Sequence, residues 1–402
     1  MVNSDTDSIP QHSIVDFSDT KIAFAHKTDA ELRRTAWLFN MINKPWLVKL
    51  GGSFGLWLNE AGINIFNPIV KATIYKQFCG GVSLLECQDE IEHLRKNNTL
   101  TILDYGAEGK SREEDFEKTL AENISALRFA STHESVPVIS TKVTALASME
   151  LLQKYQSGTT PSADDRMAYE RLQHRLDKLC KVAREHEVAV FIDAEETWIQ
   201  DTIDRLVKGL MEKYNHNKVV VYHTYQMYRK DKLQSLLADH QEAKSKGYIL
   251  GAKLVRGAYM EKERIHAIAE DRPSPIHDTK ENTDRDYDQA VRYCVDHYEE
   301  IASCNASHNL KSNLLQAELI VQKNIPRNHS HLNFCQLFGM SDIITFNLAA
   351  AGFNVAKYVP YGPVKDVIPY LIRRARENTA VTGEMSRELS LILSEMKRRG
   401  LK

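Results

Sequence analysis

Four residues near the end of the chain have the types and spacing to do chemistry. Tyr370, Arg373, Arg374 and Glu377 fall at i, i+3, i+4 and i+7, which on a helix gathers an aromatic ring, two guanidiniums and a carboxylate on one face. Paired planar guanidiniums hold a carboxylate or phosphate in a two-pronged grip that lysine does not offer. Spacing alone equally describes a solvated, salt-bridged surface. The setting favours a ligand: the apolar run Val355 to Pro360 leads into a turn with Gly362 and Pro363, then into the helical repeat Val364, Val367, Ile368, Leu371 and Ile372. Strand, glycine-bearing turn and helix is where barrel and sheet enzymes keep their ligands. Pro363 suits a helix start, and Pro369 predicts a bend.

The elements that must position this face are β-rich runs alternating with helical patterns. The runs are Leu100 to Tyr105, Val136 to Val143, Val188 to Ala194, Lys218 to Gln226, Ile249 to Gly257, Ile301 to His308, Leu332 to Phe338 and Val355 to Pro360. Such alternation signals a parallel α/β sheet, and this number over this length favours a closed TIM-type (β/α)8 barrel. Candidate helices include Ser162 to His186 and Asp284 to Glu300, while the charged, proline-bearing Glu261 to Asn282 reads as a functional loop. No GxGxxG follows any strand, which disfavours a Rossmann domain. The expected division is a tail and helical arm over 1–98, the barrel over 99–380, and a closing helix over 381–402.

Composition excludes several classes. With 43% hydrophobic and 26% charged residues among 402 and a net charge of −2, the chain is globular and carries no nucleic-acid signature. The six cysteines form no CxxC pair, so metal and disulfide roles are not expected. The acidic N-terminus matches neither a secretory signal nor a transit peptide, which predicts a cytoplasmic protein. Trp46 to Val70 is apolar but interrupted by Lys49, Glu60 and Pro68; it reads as an arm packed on the barrel, or as a segment lying in a membrane interface.

In a barrel the chemistry gathers at the C-terminal strand ends. Here these carry Asp104 and Glu108, Lys142, Asp193 with Glu195 and Glu196, Gln226, Lys253 with Arg256 to Tyr259, His308 with Asn309, Gln336 to Met340, and Tyr358. Each has a plainer explanation alone: Lys142 can pair with Asp193, and two glutamates suit a helix start. Together they are more ionisable groups than a structural barrel needs.

FIDAEET, YQMY, KLVRGAY, SHN, QLFGM, YVPYG and YLIRRAREN occur in the order seen in proline dehydrogenases, and the chain resembles that family from about Leu100 to Asn378, closest to its monofunctional animal and bacterial branch. The resemblance implies a distorted (β/α)8 flavin barrel with the last helix capping its mouth. It also implies FAD-dependent oxidation of L-proline to pyrroline-5-carboxylate, a membrane quinone acceptor reached by peripheral contact, and a separate pyrroline-5-carboxylate dehydrogenase downstream. Carried over residue by residue, the catalytic set is Lys142, Asp193, Arg373 and Arg374, and the substrate walls are Ala258, Tyr259, Leu337, Tyr358 and Tyr370. The cofactor set is Gln226, Lys253, Val255, Gly257, Ala258, Ser307, His308 and Asn309, with Thr279 or Lys280 at its far end. Lys253 stands where many bacterial members carry arginine. Glu108 is a candidate gate that pairs with Arg373 or Arg374. Two alternatives stay open: a hydroxyproline dehydrogenase, and a Schiff-base lyase using Lys142.

Overall fold

The computed structural model describes residues 14–42, 71–106, 111–380 and 384–401, without the side chains of 375–386. Eight parallel strands close in sequence order: β1 (Leu100–Tyr105), β2 (Val138–Thr141), β3 (Ala189–Ile192), β4 (Val221–Gln226), β5 (Leu250–Val255), β6 (Ile301–Ala306), β7 (Leu332–Leu337) and β8 (Val355–Tyr361). Closure is made by β1 on β8, from Leu100↔Ala356 to Tyr105↔Tyr361. Each strand leads to a covering helix: α1 (Glu113–Ala130), α2 (Ala163–Glu185), α3 (Thr197–Tyr214), α4 (Lys232–Lys246), α5 (Lys280–Asp296), α6 (Leu310–Gln322), α7 (Asp342–Ala350) and α8 (Val364–Ala380). The expected eight strands are these eight, most of them shortened by a residue or more at an end.

Strand alternation divides the apolar residues. Ile102, Phe191, Tyr222, Cys304, Cys335 and Tyr358 pack inside the barrel, whereas Leu103, Ile139, Val190 and Leu254 point outward beneath the helices. The interior is filled, with Phe191 and Tyr222 meeting edge to face at 5.0 Å, so a ligand has room only at the mouth. All six cysteines are buried and unpaired.

Segments outside the barrel pin its end. The Tyr75 hydroxyl donates to Gly81 O at 2.5 Å and Gly362 O at 2.8 Å. Gly339, at φ +77°, lies so close to Gln77 that a Cβ would come within 1.9 Å of the Gln77 carbonyl oxygen, and Gln77 Nε2 donates to Gly339 O at 2.9 Å. Any side chain there would push the β7–α7 turn off its support. α8 begins after Pro363, whose carbonyl accepts from Val367 N at 3.2 Å, and it continues through Pro369.

One expectation needs correction. The segment read as a loop, Glu261 to Asn282, opens with a helix, Met260–Ala269. Its stripe was illegible because Ile265 and Ile268 face solvent at 67% and 80% exposure while Glu263 and Ala267 are the buried residues. Among the described residues no helix is long and apolar enough to cross a membrane. The arm expected at Trp46 to Val70 lies outside the described residues, as does Glu108.

Candidate active site

Asp193, just past β3, is the centre of the mouth. Its carboxylate takes an ion pair from Lys253 on β5, a second from Lys142 beyond β2 at 3.4 Å, the Tyr358 hydroxyl from β8 at 2.9 Å and the Ser140 hydroxyl at 3.0 Å. Ser140 also lies 2.8 Å from the Tyr358 oxygen. Burial alone would favour the neutral acid, but Lys253 and Lys142 hold this carboxyl well below the usual carboxylate range. Burial and the charges of Asp104 and Asp193 push the Tyr358 phenol far up, so it remains a donor. The Lys253 ammonium sits over the Phe191 and Tyr358 rings at 5.3 and 5.2 Å, which favours a desolvated cation. Three strands, β2, β5 and β8, thus converge on one carboxylate carried by the end of β3. Ser140 was missed by sequence reasoning, although it lies two residues before Lys142 and so shares its face.

The neighbouring glutamates do different jobs from those expected. Glu196 precedes α3 but its side chain caps nothing there; it pairs with Lys262 at 2.9 Å. The cap comes from across the gap: Glu263, fully buried, accepts from Thr197 N at 2.7 Å and Thr197 Oγ1 at 2.6 Å. These two contacts tie the helix after Tyr259 to the start of α3. Glu195 accepts from Thr144 N at 3.0 Å and from the Thr144 hydroxyl, which anchors the turn that follows Lys142. Its burial lifts the carboxyl to about 7.

On the far side of the mouth Arg256 is a hub, donating to Asp284 at 2.7 Å, Ser307 Oγ at 2.7 Å and Ser312 Oγ at 3.0 Å above the Tyr287 ring. Asn309 caps α6 through Lys311 N and Ser312 N; Thr279 caps α5 through Asn282 N, and Lys280 pairs with Asp284. His308 Nδ1 lies 2.8 Å from Ser341 Oγ. Burial, reinforced by the charges of Lys357, Arg374, Arg387 and Arg256, pulls its pKa down to about 3, so the imidazole is neutral near pH 7. Gln226 and Val255 share the inner lip with Lys253, and the Gln226 Oε1 is buried with no hydrogen-bond partner among the described residues. Gly257, at φ +138°, backs onto the Tyr228 ring, which a Cβ would meet at 2.5 Å; beyond it Gly257 and Ala258 are exposed.

α8 completes the rim. Val367 and Leu371 bury its inner side and Tyr370 is 7% exposed, while Arg373 and Arg374 are half-buried. The Arg374 guanidinium lies 5.3 Å from the Tyr370 ring centre. Its charge reaches His308, and that of Arg373 reaches Tyr259, so the helix spans the β5 and β6 ends. Leu337, half-buried at the end of β7, lies against the same side of the barrel as Tyr370.

A closed α/β barrel with a largely buried carboxylate among lysines at the C-terminal strand ends is the architecture of a barrel enzyme. The chain belongs to the proline dehydrogenase family, a family of oxidoreductases, whose model matches residues 87–387. It is 32% identical over 327 residues to the carbapenem antibiotics biosynthesis protein CarD of Pectobacterium carotovorum, covering 80% of this chain and 83% of that protein. Identity to the mitochondrial proline dehydrogenase 1 of Drosophila melanogaster is 36% over 249 residues, 60% of this chain and 36% of that protein. To the hydroxyproline dehydrogenase of Xenopus laevis it is 29% over 420 residues, covering 95% and 90%. Proline utilization A from Bdellovibrio bacteriovorus, in a structure inactivated by N-propargylglycine, shares the fold with a TM-score of 0.70 at 21% identity, over 94% of this chain and 38% of that one.

Proposed function

We propose that the protein oxidises L-proline to pyrroline-5-carboxylate using FAD. The observation that carries this reading is the convergence of Lys142, Lys253 and Tyr358 on Asp193, within a chain of this family. Proline is a zwitterion with an apolar ring, and such a mouth can clamp it by its carboxylate while walling in its methylenes. Arg373 and Arg374 take the carboxylate and Lys142 adds positive charge from across the mouth. Tyr259, Tyr370, Leu337, Ala258 and Tyr358 exclude water around the ring. Asp193 fixes the Lys142 and Lys253 ammoniums and the Tyr358 hydroxyl in place.

The residues present fit a flavin. Gln226 leaves a buried oxygen unsatisfied, Gly257 gives a side-chain-free approach, and the cations around His308 suit a phosphate-bearing molecule. Gln226, Lys253, Val255, Gly257, Ala258, Ser307, His308 and Asn309 would hold it, with Thr279 or Lys280 at its far end. A bound flavin supplies the hydride-accepting chemistry that no side chain has. Lys253 provides a fixed cation where negative charge develops.

Electrons then pass to a membrane quinone through peripheral contact on the inner face, with Trp46 to Val70 as the candidate contact, and a separate dehydrogenase consumes the product. Glu108 serves as the gate on Arg373 or Arg374. The test is anaerobic titration of the purified yellow protein with L-proline: flavin absorbance should bleach stoichiometrically. An unbleached spectrum together with borohydride-trapped substrate on Lys142 would instead establish a Schiff-base lyase. The full-length similarity to a hydroxyproline dehydrogenase makes that substrate the second reading. The buried Tyr370 phenol leaves little room for a ring hydroxyl, so kcat/KM should favour proline, and the opposite ratio reverses the assignment.

A further inference from the structure

At the barrel face opposite the mouth, His240 on α4, His297 just past α5 and Glu300 at the start of β6 bring one nitrogen or oxygen each within 4.8 Å of one another. We propose that these three side chains form a binding site for a divalent transition-metal ion of the zinc class, remote from the chemistry at the mouth.

The ligand spacing suits such an ion. His240 Nε2 and Glu300 Oε2 lie 2.9 Å apart, and a tetrahedral zinc with bonds of ~2.0–2.1 Å needs them only a few tenths of an ångström further apart. The His240 ring is buried and clasped from behind, with Nδ1 2.8 Å from the Tyr293 hydroxyl. That is the outer contact a ligating imidazole requires. At present Nε2–H donates to Glu300 and Nδ1 accepts from Tyr293. Metal binding needs the other tautomer, and the phenol allows it because a hydroxyl accepts from Nδ1–H as readily as it donates.

His297 makes the cluster more than an ion pair. Its ring lies 4.9 Å from that of His240 and 4.5 Å from that of Tyr293, yet among the described residues its ring nitrogens meet no hydrogen-bonding partner, so a second imidazole stands ready. The backbone is stiff: Glu300 N and Ile301 N both bond His297 O at 2.9 Å, and Glu300 O accepts from Leu250 N at 3.0 Å. Lys244 occupies the other Glu300 oxygen at 2.8 Å, leaving Oε2 for the metal, and at 58% exposure its ammonium can turn to water. Three protein ligands and one open position define the site. Two imidazoles with a carboxylate select zinc, cobalt or nickel over calcium or magnesium.

The test is Zn2+ titration of chelator-stripped protein against a chromophoric chelator, with the visible spectrum of the Co2+ form alongside. One equivalent should bind, Co2+ should give the intense bands of a four-coordinate site, and Tm should rise with Zn2+. His297→Ala, at a half-exposed position where folding is not at risk, should weaken binding at least ~10-fold, and Tyr293→Phe by roughly 10-fold. Absence of stoichiometric binding, or binding unchanged in both His297→Ala and Glu300→Gln, overturns the proposal.

Discussion

Two aspartates in this protein, one buried and one largely so, are each held by two lysines, and they do opposite things. Asp193 faces the barrel mouth with Lys142, Lys253 and Tyr358. Asp342, at the start of α7, lies outside β8, bonded to Lys357 at 2.9 Å and Lys27 at 3.2 Å. Lysine neighbours hold both carboxyls well below the usual range. The difference is in what surrounds them. Around Asp342 a further carboxyl, Glu388, is held as the neutral acid below about pH 7 by burial and by the charge of Asp342, and the cluster is sealed by the N-terminal segment and the Glu384–Arg398 helix. Around Asp193 the partners come from strand ends at the barrel mouth, where the charges of Lys142 and Arg373 reach Tyr259. The same pairing closes a structure in one place and lines the barrel mouth in the other.

That contrast can be broken by substitution. The largest effect is expected from Asp342→Ala, which strands Lys357, 1% exposed, and should cost about 3–5 kcal/mol of stability in denaturant titrations. The kcat/KM of the folded enzyme should be unchanged; a loss of activity at intact stability would erase the distinction. Asp193→Ala should do the reverse, lowering kcat/KM for proline roughly 100-fold or more through misplaced lysines and phenol, and proline-driven flavin reduction reads it directly. Tyr358→Phe removes one hydroxyl from the Asp193 cluster and should cost ~1–3 kcal/mol, divided between stability and turnover.

The smallest effect is one of pH. A buried Glu388 with a raised pKa binds its proton more tightly when folded, so its contribution is fully present below its unfolded value of about 4.3 and is lost as pH rises to about 7. Glu388→Gln should flatten that decline by ~1–3 kcal/mol. Asp342 has the opposite sign: its depressed pKa gives stability present above ~4 and lost on acidification. A wild-type stability profile that rose between pH 5 and 7 and did not respond to Glu388→Gln would contradict this sharing of charge.

The strands were legible because most are short, largely apolar runs alternating with helical patterns, and because Lys142, Asp193, Lys253 and Tyr358 sit at or near run ends where barrels place function. The helix Met260–Ala269 was not, because its inward residues are a carboxylate and a lone alanine, Glu263 and Ala267, so no apolar stripe announces it. Nor was its purpose: Glu263 caps a helix that starts 66 residues earlier in the chain.

The sequence by itself determined the period of each segment, hence the fold class and which residues reach strand ends, because alternation and helical spacing are local properties of the backbone. Only the tertiary structure decided partnership. Lys253 and Asp193 are separated by 60 residues, and nothing local says that this lysine meets that aspartate; the pairing of β3 and β5 on either side of β4 in a curved barrel wall does. The two lysine-held aspartates differ by the face of the strand and the segments laid over it, and that choice belongs to packing alone.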